Sequence, residues 1–470
     1  MPLVLSAVAV FLLVLARVYV QSMTIDEATM YEVFVAPAGP MHWEPASNNH
    51  ILNSLIMRLF VGVFGASHLT IRSGALAGAL VYISAAVVFC RSISRSELLR
   101  WAAFVCLACN PFVLDYLVAA RGYSLASGFL LAGLAVVARH KSRDGGSPLA
   151  VCGICSVLAA LAVAANFSFA FIAAALLTAL VICFRRAGVV PVLAAGIVPG
   201  FIVSVLLTLH AALTWPAGQL WWGAKTLGET GQSVLDSLLH APNAHLLSPW
   251  TLAATEAVRP WIVPALLAVA ALTAALVRRD WRVQYAGVLV ASVAAALFTH
   301  WIGLTAGGML LPKERTAIWV PVVLLTAAVL AVAAARHAWV RAAATATLTL
   351  AAVYFLGCLR LTYFKEWSWN AGTREAYWVA AYYNHTYGVK RVASSWHHSA
   401  VLNVYRAMSG GRDTIESVVS SVPPPAGYQL YVLVAGLHQE FIDRQQLRVV
   451  YRGAGDVVVA IDPRVESAQP

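Results

Sequence analysis

The chain has 470 residues, of which 60% are hydrophobic and 11% charged, with a mean hydropathy of +0.75. A soluble globular protein carries about 25% charged residues, so this composition excludes that class and defines a polytopic membrane protein. The net charge of +11 does not indicate nucleic-acid binding, because Lys and Arg collect in the cytoplasmic loops of membrane proteins as topology determinants.

Apolar runs long enough to cross a bilayer occur at 3–20, 70–90, 99–117, 121–139, 149–165, 167–184, 189–209, 259–277, 283–303, 316–335 and 342–361, about eleven helices. The first has neither a basic leader nor a small-residue cleavage site, so it is expected to be retained as an anchor. With the amino terminus inside, Arg91, Arg95 and Arg100, then Arg139, Lys141 and Arg143, then Arg185 and Arg186, then Arg278, Arg279 and Arg282, and finally Arg336 and Arg341 all fall on the cytoplasmic side. The same arrangement sends a first loop (21–69), a large loop (210–258), the 304–315 turn and the region after 362 to the outer face. All seven cysteines lie in apolar runs. The pairs Cys106/Cys109 and Cys152/Cys155 have redox or zinc spacing, but without nearby His or acidic ligands they read as packing residues.

The charges left on the outer face are few: Asp26, Glu27, Glu32, Glu44, Arg58, Arg72, Asp115, Arg121, Lys313, Glu314 and Arg315. Asp26 and Glu27 stand a few residues beyond the first span, where ionised groups are costly and commonly functional; the competing reading is a pair that marks the water boundary. Pro37, Gly39, Pro40 and Pro45 interrupt the loop, and Asn48, Asn49 and His50 then cap an amphipathic segment ending near Gly65. In the turn NPFVLDYLVAARGYSLASG, Asn110-Pro111 breaks the helix and Asp115, Tyr116, Arg121 and Tyr123 cluster. There Asp115 and Arg121 either serve a site or pair with each other.

The 210–258 loop carries Trp215, Trp221, Trp222 and Trp250, which suit the headgroup zone. An interfacial anchor is the preferred reading over a lid or acceptor-binding element, and the spacing of Lys225, Glu229, Asp236, His240 and His245 matches no metal motif. In the turn around Gly307 and Gly308, Lys313 and Arg315 either hold an anionic head group or snorkel. Beyond 362 the runs shorten to strand length at 391–394, 429–434, 447–451 and 456–461, with helices over 374–387 and 399–408: a small soluble α/β domain, 363–470. The glycines at 453–455 read as a hairpin turn, and Trp396-His397-His398 as surface residues in preference to a metal site.

Three stretches together, the Asp26-Glu27 pair, NNHILNSLIMRLFVGVFGASHLTIR and NPFVLDYLVAARGYSLASG, resemble the membrane-embedded C-type (GT-C) glycosyltransferases. Within them the chain is most similar to bacterial relatives of protein O-mannosyltransferases and of the aminoarabinose transferase. The likeness covers the first 140 residues well, Lys313 to Val323 weakly, and the last domain hardly at all. Many relatives have His-Pro-Pro where this chain has Asn48-Asn49-His50-Ile51, which leaves the role of His50 open.

The resemblance implies a polytopic transferase domain (1–362) in the bacterial inner membrane. It would take a sugar from a polyprenyl phosphate and pass it to a lipid, glycan or protein hydroxyl outside the cytoplasm. It also implies that Asp26 is the general base with Glu27 beside it. Arg58, Arg121, Arg315 and Lys313 are the candidates for the donor phosphate, and His50, Asn49, Asp115 and Tyr123 for the substrate pocket. A divalent cation could share the phosphate, although no ligand set is legible. The alternatives are a transporter or flippase of a lipid-linked saccharide, disfavoured by the lack of internal repeats, and a non-catalytic subunit of an envelope-glycan assembly complex.

Overall fold

The structure, a computed structural model, describes residues 2–36, 46–143, 146–214, 219, 222–422 and 424–467. Pro37, Gly39, Pro40, Glu44, Pro45, Trp215 and Trp221 lie outside the described residues. Ten helices among those described are long and apolar enough to cross a membrane, beginning with α1 (Pro2–Val20). The difference from eleven is the 99–117 run, which forms two pieces, Glu97–Ala108 and Pro111–Tyr116. Cys109 ends the first and Asn110 caps the second, its side chain accepting from the N–H groups of Phe112 (3.0 Å) and Val113 (3.3 Å). Pro111 takes the first helical position, where a missing N–H costs nothing. Both pieces are buried among the other helices, which is where broken backbone is tolerated at membrane depth.

Helices Ser73–Ile93 and Tyr123–Arg143 pack backbone to backbone at the centre. A Cβ on Gly78 would stand 2.3 Å from the Leu125 nitrogen and 2.4 Å from the Ser124 carbonyl carbon, so only glycine allows this approach. On the periphery, the Val189–Thr214 helix leaves Val190, Phe201, Leu206 and Leu213 exposed, the surface a lipid-facing helix presents. The span expected at 259–277 is longer than its sequence suggests: Pro249–Val258 is helical and leads through Arg259–Trp261 into Ile262–Leu276, so the end of the large loop joins the span.

The basic turns gather at one end of the helices. Arg282 donates to the carbonyls of Ile93 (3.0 Å) and Ala333 (2.5 Å) and pairs with Asp280 (2.8 Å), which Arg336 also approaches at 3.5 Å. The acidic first loop lies at the opposite end, as alternating spans require. There α2 (Ile25–Met30) begins with a capping box in which the Thr24 hydroxyl accepts from the Glu27 N–H and the Glu27 carboxylate accepts from the Thr24 N–H. The amphipathic segment is α3 (Ile51–Phe64).

The last domain holds a five-stranded sheet: β1 (Val392–Ser394), β2 (Val419–Ser420), β3 (Leu430–Val434), β4 (Arg448–Arg452) and β5 (Val457–Ile461) in the order β2-β1-β3-β5-β4. β1 runs parallel to β2 and β3, and β5 antiparallel to β3 and β4, with the expected turn at 453–456 closing the β4–β5 hairpin. Alternate residues face opposite ways. Tyr431, Leu433 and Val458 pack beneath the Ala435–Arg444 helix. Leu430, Val432, Val457 and Val459 join a core that reaches Met23, Ala28 and Met30 of the first loop. His398 is not a surface residue as expected: it is fully buried, its Nδ1 lies 2.9 Å from the Thr373 hydroxyl, and burial together with His397 and His438 pushes its pKa down to about 3.

Candidate active site

Asp26 sits in the first turn of α2 with its side chain a quarter exposed, and two guanidinium groups face one of its oxygens: Arg121 at 3.8 Å and Arg315 at 3.5 Å. Burial pushes its carboxyl up, but Arg121, Arg315 and a hydrogen bond from Trp367 outweigh that and hold it below the ordinary aspartate range. It is therefore an ionised acid at neutral pH. Arg121 arrives through the tight turn after Pro111–Tyr116. Gly122 makes that turn possible, with φ of +73° and a position where a Cβ would stand 2.2 Å from the Ala165 oxygen and 2.9 Å from the His50 Cβ.

These groups line a cavity of about 740 Å³ with His50, Tyr123, Asn166, His300 and Trp222. His50 is buried 5.4 Å from the Tyr123 ring, and burial together with Arg121 and Arg315 holds its pKa well below the usual histidine range, so the imidazole is neutral. Phe167, Ser168, Ala170 and Phe171 form part of the wall. Phe169, between them in sequence, lines an apolar groove of about 150 Å³ that runs among the spans to Lys141 and Gln284.

Glu27 departs from its expected place beside the base. It is fully buried, its carboxylate bound by Arg72 through two 2.8 Å contacts and by the N–H groups of Ala120 (2.8 Å) and Thr24 (2.9 Å). Arg72 in turn donates to the carbonyls of Val18, Gln21 and Ser22, so this pair fixes the end of α1, α2 and the Arg121 turn together. Arg58 is also elsewhere: its Nε donates to the Phe34 carbonyl at 2.7 Å, and it does not line the cavity. Asn49 accepts from the Ser54 hydroxyl at 2.8 Å behind the cavity wall. Asp115 and Arg121 do not pair, because Asp115 takes Arg17 at 2.5 Å and the Lys365 N–H at 3.0 Å.

Asp115 and Lys313 line a second cavity, of about 690 Å³, that shares Trp222 and Arg315 with the first. Glu366, which the sequence does not single out, also lines the second cavity. It touches both Arg315 and the Tyr116 hydroxyl. Burial, then the neighbouring Asp26 and Asp115 carboxylates, push it well above the usual glutamate range despite the arginine. One acid is thus held low and its neighbour pushed high around a single guanidinium, the kind of divergence that marks acid–base sites. Its signal in the sequence was slight: Lys365-Glu366-Trp367, a charged and aromatic triplet just past the last span. Arg17, buried in α1, was more legible as a charge inside an apolar run. Among the described residues no three His, Cys, Asp or Glu side chains are placed to hold a metal ion.

Ten apolar helices, a broken buried helix, a polar cavity at one end and a small α/β domain after the last span define a polytopic membrane protein. No family model matches the chain, and no curated protein sequence matches it. Among solved structures it is similar to ArnT from Cupriavidus metallidurans in the apo state (TM-score 0.43, 12% identity, covering 99% of each chain). ArnT bound to undecaprenyl phosphate is similar too (0.41, 11%, 100% of this chain and 98% of that one). So is the arabinofuranosyltransferase AftD from Mycobacteria (0.46, 14%), where the match covers 98% of this chain but 39% of AftD. At these identities and TM-scores the functional reading has to come from the side chains of the cavity.

Proposed function

We propose that the protein is a membrane glycosyltransferase that moves a sugar from a polyprenyl-phosphate donor to a hydroxyl acceptor on the outer face of a bacterial inner membrane. The observation that carries this reading is the ionised Asp26 between Arg121 and Arg315 on the wall of a polar cavity. A phosphate belongs beside the two guanidinium groups, which bind oxyanions through charge-assisted hydrogen bonds. The outer orientation rests on the basic turns gathered at the opposite end.

In the reaction the acceptor oxygen attacks the anomeric carbon and its proton passes to Asp26. The carbon–oxygen bond to phosphate breaks, and the polyprenyl phosphate leaves with the electron pair, its charge offset by Arg121 and Arg315. Attack opposite the leaving group inverts the anomeric configuration. A positioned base of this kind contributes about 10² to 10⁴ in rate. In the empty site the two arginines make Asp26 a weak base. A bound phosphate offsets their charge, so Asp26 gains basicity only when a donor is present.

The test is reconstitution with a panel of undecaprenyl-phosphate sugars. Native protein should release undecaprenyl phosphate with one of them, and Asp26→Asn should do so at least a hundredfold more slowly. Equal rates would remove Asp26 from the chemistry. Passage of labelled lipid across the bilayer with no turnover would instead establish a transporter.

A further inference from the structure

The second cavity shares Trp222 and Arg315 with the first, and the rest of its lining differs in kind. Trp222 and Trp369 stand on its wall with 43% and 36% of their surface exposed, Trp222 with Lys313 and Arg315 beside its ring. Open aromatic faces of this sort mark ligand grooves. Opposite them, the Leu227–Leu238 helix presents Glu229, Gln232 and Asp236, spaced three and four residues apart and hence on one side of the helix. The cations of the cavity are already engaged. Lys365 donates to the Asp236 carbonyl at 2.5 Å, Lys313 lies 3.9 Å from Glu314 and 5.4 Å from the Trp222 ring, and Arg315 faces Asp26 and Glu366.

We infer that this cavity is the acceptor subsite and that its ligand is an uncharged, polyhydroxylated glycan chain, an inference that rests on the transfer reaction proposed above. A sugar ring offers an apolar face to an indole and hydroxyl donors to carboxylates and amides, and this wall supplies both. Phosphate and carboxylate groups are disfavoured, because Glu229 and Asp236 would repel them and Lys313 and Arg315 already face carboxylates. A volume of about 690 Å³ falls within the range of about 300–1,000 Å³ typical of ligand clefts. Trp222 and Arg315 line both cavities, so a chain end lying here stops within one arginine side chain of Asp26. Trp222 of the large loop therefore serves a substrate, where sequence alone favoured a membrane anchor.

The experiment is calorimetric titration of the full-length protein in detergent with maltohexaose, mannohexaose, arabinohexaose and, as the anionic counterpart, hexagalacturonate. At least one neutral chain should bind, and the Glu229→Gln/Asp236→Asn pair and Trp369→Ala should each weaken it tenfold or more. Glu229 and Asp236 are exposed, so their variant keeps the test open if Trp369→Ala fails to fold. Binding of hexagalacturonate in preference, binding of none of the neutral chains, or affinities untouched by the substitutions would overturn the inference. Undecaprenyl phosphate titrated into the same native preparation reads the donor site separately, so either reading can fail alone.

Discussion

Glu27 and Asp26 are neighbours in sequence with opposite surroundings, and replacing Glu27 by glutamine tests that contrast. The Glu27 carboxylate accepts four hydrogen bonds, two from Arg72 and one each from the Ala120 and Thr24 N–H groups, and both members of the ion pair have side chains 0% exposed. Glutamine keeps the shape, removes the charge and turns a donor toward donors. Breaking a buried pair by removing one partner costs about 3–5 kcal/mol, because the other charge is left uncompensated. With an unfolding entropy of about 2.1 cal/mol/K per residue, a chain of 470 residues loses about 1 °C of melting temperature per kcal/mol. Glu27→Gln should therefore melt about 3–5 °C below the native protein in detergent. Arg72→Met should cost a similar amount, and Glu27→Leu/Arg72→Met much less than the two single changes added, since the pair is then removed as a unit. A Glu27→Gln protein that melts with the native one would refute the claim that this pair braces the site.

Glu32, half-buried in the first loop, has its pKa raised to about 7 by burial, against an opposing pull from Arg406. The folded chain then keeps a proton that the unfolded chain loses above 4.5. Its contribution to stability is complete below that pH and is lost as pH rises toward 7. Melting temperature should fall across this window, and Glu32→Gln should flatten the fall. Gly122→Ala would force a side chain into a left-handed backbone and against the Ala165 oxygen. It should cost more than about 1 kcal/mol in stability and, by displacing Arg121, weaken undecaprenyl phosphate binding measured by calorimetry.

Much of the fold was legible because hydropathy and charge are local signals. Span positions, the basic turns and four of the five strands of the last domain follow from runs of a few residues. The break at Asn110-Pro111 was legible too, but its consequence for the count of spanning helices was not, because length in the membrane depends on what encloses the fragments. At the site, Asp26, Arg121, Arg315, His50 and Tyr123 come together as expected, whereas Arg58, Asn49 and Glu27 point elsewhere. Charge at a helix end says that a group needs a partner, not which one. Glu27 found Arg72 and Asp115 found Arg17, and both pairings depend on how four helices pack. Glu366 lies 340 positions from Asp26 (366 − 26), and no spacing rule connects residues so far apart.

The segment bearing Asp26 is held from beyond the last span. The Met23 N–H donates to the Tyr405 hydroxyl at 2.8 Å, and Asn370 accepts from the Ile25 N–H at 3.0 Å while donating to the His397 carbonyl at 2.9 Å. The boundary near residue 362 therefore separates lipid from water but not one cooperative unit from another. A ribosome delivers residues 22–36 early and their supports last, so the loop must wait, unfinished, through the insertion of every later helix. A chain truncated after the final span would carry all its anchors and still lack the mould in which its acid is set.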